Sequence, residues 1–438
     1  MANNIKTLLL LVGFLISGML FMQLQAAPKF VKVENAQFTR GGKPYYYIGT
    51  NFWYGAILGS KGKDGNRARL IKELDFMKKA GINNLRVMVG AEGPEDEVHR
   101  VQPSLQPEPG KYNQELLDGL DFLMAEMGKR KMVAILVLNN SWDWSGGIAQ
   151  YLEWNGYGEA LCMREPEGND WDKYQAFNGQ FNTCENCIKQ YHNHIRFILG
   201  RINNYTRKKY TEDPAIMAWE IGNEPRPFGE KFIPAFEKMI QETAALIKSI
   251  DKNHLLTTGS EGQIGSQGSM DLFERIHTTP DIDYLVFHVW PLNWEWIKKN
   301  DIASTVDVAI SKTNEYIANH IKVAEKLHKP IVAEEFGLPR DNYNFTPADP
   351  ALLRDKYYEN IFKQVVESSK NKGVLAGANF WSWGGFGRPA RVWYKRGDDY
   401  LGDPPCEEQG VNSVFNTDKT VDLVKKYNKE IKIRDYRP

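Results

Sequence analysis

Three observations in the sequence predict a single (β/α)8 TIM barrel with long βα loops after strands 3 and 8. Eight short runs rich in Val, Ile, Leu and Ala alternate without a break with amphipathic helical segments, an order that requires parallel pairing through right-handed crossovers. Eight such units are the number that closes a barrel. No Gly-rich phosphate loop follows any of the runs, which argues against an open, doubly wound sheet. The 438 residues suit one barrel with insertions and do not demand a second domain.

The first thirty residues read MANNIKTLLLLVGFLISGMLFMQLQAAPKF, with Lys6 ahead of an apolar run from Leu8 to Met22, then Ala26 and Ala27. This is the pattern of a secretory signal peptide over residues 1–27, with a membrane anchor as the alternative. The protein is therefore expected to be secreted or periplasmic, with residues 28–438 forming the barrel domain. No Cys in or just after the segment offers a lipid anchor.

The next stretch, FVKVENAQFTRGGKPYYYIGTNFWYG, alternates and turns at Gly41-Gly42, so a short hairpin should feed the first buried strand, Tyr45 to Asn51. INNLRVMVG gives the second strand, after the helix LIKELDFMKKA. MVAILVLNN gives the third, after a helix from Leu116 to Lys129. AIMAWEIGN is the fourth. LLTTGS near Leu255, YLVFHVW near Tyr284, PIVAEEFG near Pro330 and VLAGANFWSW near Val374 complete the set. Helices are expected at FIPAFEKMIQETAALIKSI, EYIANHIKVAEKLHK and VDLVKKYNKEI, the last ending too near Pro438 to leave room for an appended carbohydrate-binding module. Two insertions, Trp142 to Cys187 and Gly384 to Phe415, leave the C-terminal ends of strands three and eight. That face is where barrel active sites assemble, and loops of this length are usually functional.

Composition excludes several partner classes. Hydrophobic residues make up 42% and charged residues 25%, and 55 basic side chains balance 55 acidic ones, so nothing points to nucleic acid or to an anionic membrane. The four cysteines, Cys162, Cys184, Cys187 and Cys406, allow three pairings. A staple joining Cys162 to Cys184 or Cys187 is the preferred expectation. The C-x-x-C lacks a thioredoxin-like setting, and Cys406 lies far from the others for a zinc site.

Polar residues at the C-terminal ends of apolar barrel strands are catalytic candidates, and here they are Arg86, Asn223, Glu224, His288 and Glu335. Two carboxyls suit glycosidic bond cleavage, which needs one protonated acid and one ionised group; an Arg nearby favours the anion. Either Glu alone has a structural reading as a buried salt-bridge partner. Glu334 competes with Glu335, since successive strand residues face opposite sides, and Ala333 shares the parity of Glu335. His192-Asn193-His194 falls in a helical stretch and is read as helix surface. No His or Asp spacing suggests a metal. Tryptophans follow several strands, Trp53, Trp142, Trp144, Trp290, Trp294, Trp296, Trp381 and Trp383, as a ring suited to stacking on sugar faces; Trp219 is assigned to the core.

These motifs resemble glycoside hydrolase family five. WEIGNEP at Trp219 to Pro225 is similar to the family's strand-four motif, which implies that Asn223 bonds the sugar 2-hydroxyl and Glu224 is the general acid/base. EEFG at Glu334 to Gly337 is similar to the strand-seven motif, which implies that Glu335 is the nucleophile. Arg86, His288 and Trp381 match other active-centre positions. Four loop motifs resemble the β-mannanase branch: GTNFWYG, NNSWDWSGGIAQYLEW, HVWPLNWEW and GDPPCEEQGVNSVF. The resemblance implies retaining endo-hydrolysis of β-1,4-mannosidic linkages in mannan, glucomannan or galactomannan, with no cofactor and no nucleic-acid or membrane partner. Trp53 and Trp290 join the expected substrate-binding residues, Trp290 standing where many members carry the Tyr that contacts the nucleophile. Alternatives are an exo-acting β-mannosidase, a β-1,4-glucanase or a non-catalytic glycan-binding barrel.

Overall fold

The computed structural model of the chain describes residues 29–95, 99–163 and 170–432; the expected signal segment lies outside them. Eight strands form one sheet: β1 (Tyr47–Asn51), β2 (Asn84–Met88), β3 (Val133–Val137), β4 (Ile216–Glu220), β5 (Leu255–Thr257), β6 (Leu285–Val289), β7 (Ile331–Phe336) and β8 (Leu375–Phe380). Every residue in them is buried, as expected of parallel strands covered on both faces. Their order is β5-β4-β3-β2-β1-β8-β7-β6, all pairs parallel. At the seam, Asp283 N donates to Leu256 O at 2.9 Å and His288 N to Glu261 O at 3.2 Å, drawing β5 and β6 together. The predicted barrel is the observed one.

The helices form where apolar residues repeat on one side. In Gln114–Lys129, Leu116, Leu117, Leu120, Leu123, Met124 and Met127 are buried, and Asn113 caps the first turn by accepting the N–H groups of Glu115 and Leu116. The N-terminal hairpin gains a strand over the expectation. Val31–Glu34 pairs with Gln37–Arg40, which pairs with Lys43–Pro44. The extra turn falls at Asn35 and Ala36, both in the left-handed region with φ of 52° and 59°. Phe38 packs edge-on against Tyr284, with ring centroids 5.1 Å apart, beneath the start of β6.

Three local readings are corrected. Cys184 pairs with Cys187, not with Cys162; as N-cap and third residue of the helix Glu185–Leu199, their Cα atoms stand 5.2 Å apart, within bridging reach. Cys162 and Cys406 lie outside the bridge. His194 is core, not helix surface: it is fully buried, with Nε2 3.0 Å from Val89 O, and burial lowers its pKa to about 4. The strand alternation behind the choice of Glu335 over Glu334 is interrupted. β7 pairs Ala333 with Phe287 but Glu335 with His288, a bulge at Glu334 that leaves both carboxyls inside the barrel. Trp219 is buried in the core as expected, its Nε1 donating to Asp251.

The insertion after β8 is fastened across the mouth. Its short strands Trp383–Gly385 and Val414–Phe415 pair with each other. Trp53 Nε1 donates to Gly402 O at 2.7 Å, Arg69 Nη2 to Tyr400 O at 2.7 Å, and Trp383 Nε1 to Glu73 at 2.8 Å. Tyr400 OH donates to Gln102 O, and Arg396 pairs with Asp64 at 3.0 Å and Glu95 at 3.3 Å. Buried loop backbone thus finds the partners it needs. Among the described residues no helix is long and apolar enough to cross a membrane.

Candidate active site

Arg86 on β2 is the hub of the buried polar cluster. Its Nε and Nη2 grip both oxygens of Glu220 at 2.8 and 2.5 Å, Nη2 also donates to Asn223 Oδ1 at 2.8 Å, and Nη1 donates to Asn51 Oδ1 at 3.0 Å and to Glu335 Oε1. A guanidinium is suited to this, presenting five donors in a fixed fork that carboxylates match. Asn223 is oriented from its other end, Nδ2 donating to Asn140 Oδ1 at 3.0 Å.

Glu224 follows on the loop after β4 with φ of 52°, a left-handed conformation rare for a residue with a Cβ. Its N–H donates to Gly259 O at 3.0 Å, fixing the turn. Both side-chain oxygens accept: Oε1 from His288 Nδ1 at 2.7 Å and Oε2 from Trp142 Nε1 at 2.5 Å. Burial pushes the carboxyl up, but the hydrogen bond and charge of His288, with Arg226 and Trp142, hold it down at about 2. Burial in turn pulls His288 down, yet Glu335, Glu224 and Glu334 raise it to about 9. The proton between the two side chains therefore sits on the imidazole.

Glu335 ends the inward set. Its contacts are Arg86 Nη1 and His288 Nδ1, the latter at 3.4 Å from Oε2. Burial raises its pKa and Glu224 adds to the rise, while His288 and Arg86 oppose it. Arg86 and His288 thus answer the question of what holds this carboxyl where Trp290 replaces a Tyr; Trp290 instead forms wall, edge-on to Trp381 with centroids 6.0 Å apart. Glu224, His288 and Glu335 each present an atom within 4.8 Å of the others. The trio pairs internally, and no other group of His, Cys or carboxylate side chains among the described residues offers a cation a ligand set.

The cluster opens into a cavity of about 840 Å³ to which Asn223, Glu224, Glu335, Trp290 and Trp381 all contribute. One side of the cavity is aromatic, lined by Trp142 and Trp171 with Tyr174 fully buried against them. The three rings stack on one another with offset, their centroids 5.9 to 6.0 Å apart in every pairing and their planes within 27°. The Arg226 guanidinium lies 5.1 Å over Trp142 and pairs with Glu261.

Of the sequence-predicted residues, the structure brings Arg86, Asn223, Glu224, His288, Glu335, Trp290 and Trp381 together. Trp53 is not with them. It is buried behind Trp144, at 6.0 Å, and holds the β8 insertion, because its only polar atom is spent on Gly402 O. Sequence reasoning placed Trp142 only in the aromatic ring and missed its hydrogen bond to Glu224. It also missed Arg226 and Glu407. Arg226 had a weak signal, lying two residues beyond Glu224; Glu407, in a loop without periodicity, had none. Glu407 lines the cavity with Oε2 buried and unpartnered. Burial, reinforced by Asp403, Glu335 and Glu224, pushes its carboxyl well above the usual range.

Comparison with known proteins places this arrangement among its relatives. The family described as GH family 5 beta-mannosidase-like matches residues 28–435. A glycoside hydrolase family 5 mannosidase from Rhizomucor miehei superposes with a TM-score of 0.85 at 35% identity, covering 93% of this chain and 99% of that one. A mutant of that enzyme was solved in complex with mannosyl-fructose, with the same score and identity over 93% of this chain and 98% of that one. Mannan endo-1,4-beta-mannosidase 7 from Arabidopsis thaliana is 30% identical over 365 residues, 80% of this chain and 77% of its own.

Proposed function

The chain belongs to glycoside hydrolase family 5, and on that premise we propose that it hydrolyses β-1,4-mannosidic linkages within mannan, glucomannan or galactomannan by double displacement. The observation that carries this reading is the convergence of Glu224 and Glu335 on one cavity, with His288, inside 4.8 Å. Retaining carboxyl pairs stand ~5 to 5.5 Å apart, while inverting pairs leave ~6.5 to 9.5 Å for a water. An oxygen of each carboxyl lies within 4.8 Å of the other, a closeness that supports the retaining reading.

Glu335 attacks the anomeric carbon, its charge favoured by Arg86 and by His288. Glu224 protonates the departing oxygen with the proton that His288 Nδ1 holds 2.7 Å away. Having given it up, Glu224 is the carboxylate that Trp142 Nε1 stabilises, ready to deprotonate the water that releases the sugar and to return that proton to His288 Nδ1. The chemistry calls for no cofactor. Trp142 and Trp171, which line the cavity beside the acid/base, suit the sugar on the leaving side.

Proton NMR of the first product tests the mechanism: mannose units should appear as the β-anomer, and an α-anomer appearing first would contradict it. Glu335→Gln should lower kcat/KM by about 10³-fold or more. A second reading, chain-end cleavage, is favoured by one observation: among the described residues, none lining the cavity comes from the loops after β1 or β2, which the β8 insertion covers. Mannohexaose separates the two, since internal cleavage gives a spread of short oligosaccharides at once, whereas chain-end cleavage gives mannose and mannopentaose first. Residues 1–27 further support export to the periplasm or medium, which N-terminal sequencing of the mature protein checks.

A further inference from the structure

Glu334 is the most anomalous group in the barrel. Both of its carboxyl oxygens are buried with no hydrogen-bond partner, a costly state for an acidic group. The bulge at this residue turns it inward beside Glu335, where Oε2 lies 3.8 Å from Arg86 Nε and 4.0 Å from His288 Nε2. Arg86 Nε is already committed to Glu220 at 2.8 Å. His288 Nε2, by contrast, is itself buried and unpartnered, while Nδ1 of the same ring donates to Glu224. Two orphaned polar atoms across 4.0 Å are too far apart for a direct bond and well spaced for one water between them. The hydroxyls of Tyr47 and Tyr284 are likewise buried and unpartnered; burial first, and then neighbouring charges that include Glu334, raise both phenols.

We propose that Glu334 is a positioning residue for the acid/base: through a bridging water it fixes the imidazole of His288 and thereby the hydrogen that Nδ1 presents to Glu224. The proposal rests on the reading of Glu224 as acid/base. His288 is faced by Glu224 beyond β4, Glu220 on β4, Glu334 and Glu335 on β7, and the opposing cation Arg86 on β2. Burial acts against its charged form, so each facing carboxyl matters to whether the ring keeps both protons. Glu334 is the one that reaches Nε2, the side away from the substrate.

The test is a pH titration of His288 in the ¹⁵N-labelled full chain by long-range ¹H–¹⁵N correlation. Its signal among the eight histidines is assigned by comparison with His288→Gln. In the wild type both ring nitrogens should carry protons at pH 7. Glu334→Gln should lower the His288 midpoint by about one unit and move the alkaline limb of the kcat profile down with it, leaving KM unchanged. A folded Glu334→Gln with an unmoved midpoint overturns the proposal. So does an unprotonated Nε2 at pH 7 in the wild type, a measurement that decides the matter even where the variant does not fold. Because the titration reads the imidazole and not turnover, inactivity on mannan would count against the proposed function alone.

Discussion

Gly337, two residues beyond Glu335, tests how tightly the sugar-binding wall is built. A Cβ at this position would stand 2.6 Å from Cζ3 and 3.1 Å from Cη2 of Trp290, with Asn412 Oδ1 at 3.2 Å on another side. Carbon atoms rest at about 3.5 to 4.0 Å, so the indole must recede by about an ångström. It is a rigid ring already set edge-on against Trp381 at 6.0 Å, and the space open to it is the cavity it lines. Gly337→Ala is therefore expected to displace Trp290 into the sugar site. Overpacking of this kind costs about 1 to 3 kcal/mol, and misplacement by about an ångström near reacting groups lowers kcat/KM by roughly 10- to 100-fold. Initial rates on mannohexaose, with thermal unfolding alongside, measure both effects. A variant with kcat/KM within twofold of wild type would refute the reasoning, because it would mean that the wall yields freely.

Gly128→Ala is the contrasting case: it lies in the helix Gln114–Lys129, and its Cβ would meet only Ala215 Cβ at 3.6 Å, so urea unfolding should show a gain of about 0.5 to 1 kcal/mol from helix propensity. Burial pushes Glu92 up to about 8 against the Gly147 N–H that pulls it down. A carboxyl raised in the fold binds more protons folded than unfolded, so this residue's penalty is absent below about pH 4.5 and grows as pH rises towards 8. Denaturation midpoints of Glu92→Gln and wild type should accordingly diverge from pH 5 to 8, by a few kcal/mol at most; parallel curves would exclude it. The Cys184–Cys187 bridge closes a loop with a sequence separation of only 3. Replacing both cysteines with Ser should lower stability by no more than about 2 kcal/mol and leave turnover intact, as differential scanning calorimetry and steady-state kinetics would report.

Much of this molecule is legible in one dimension because a barrel is a repeating object. Each strand announces itself by an unbroken apolar run, so Arg86, His288 and Glu335 within their strands, and Glu224 four residues beyond β4, could be found by asking where polar residues interrupt or follow each run. What escaped were contacts made between repeats. Trp53 follows its strand as the other tryptophans do, but a carbonyl arriving from Gly402, far along the chain, takes it out of the site. Glu334 defies alternation because one bulge, which no local composition marks, turns two successive side chains inward. The expected staple joins Cys162 to one member of the C-x-x-C, whereas a helix cap sets Cys184 and Cys187 together. Glu407 needed the three-dimensional return of the β8 insertion to become part of the cavity at all.

The way that insertion is fastened carries a consequence for anyone wishing to redirect the enzyme. Its anchors, Arg69 to Tyr400 O, Trp383 to Glu73 and Tyr400 to Gln102, belong to the scaffold and lie away from Glu224 and Glu335. Admitting a thicker or branched polymer is thus a matter of unpicking rivets in the outer shell, and the reacting groups can be left untouched while the width of the doorway is redesigned.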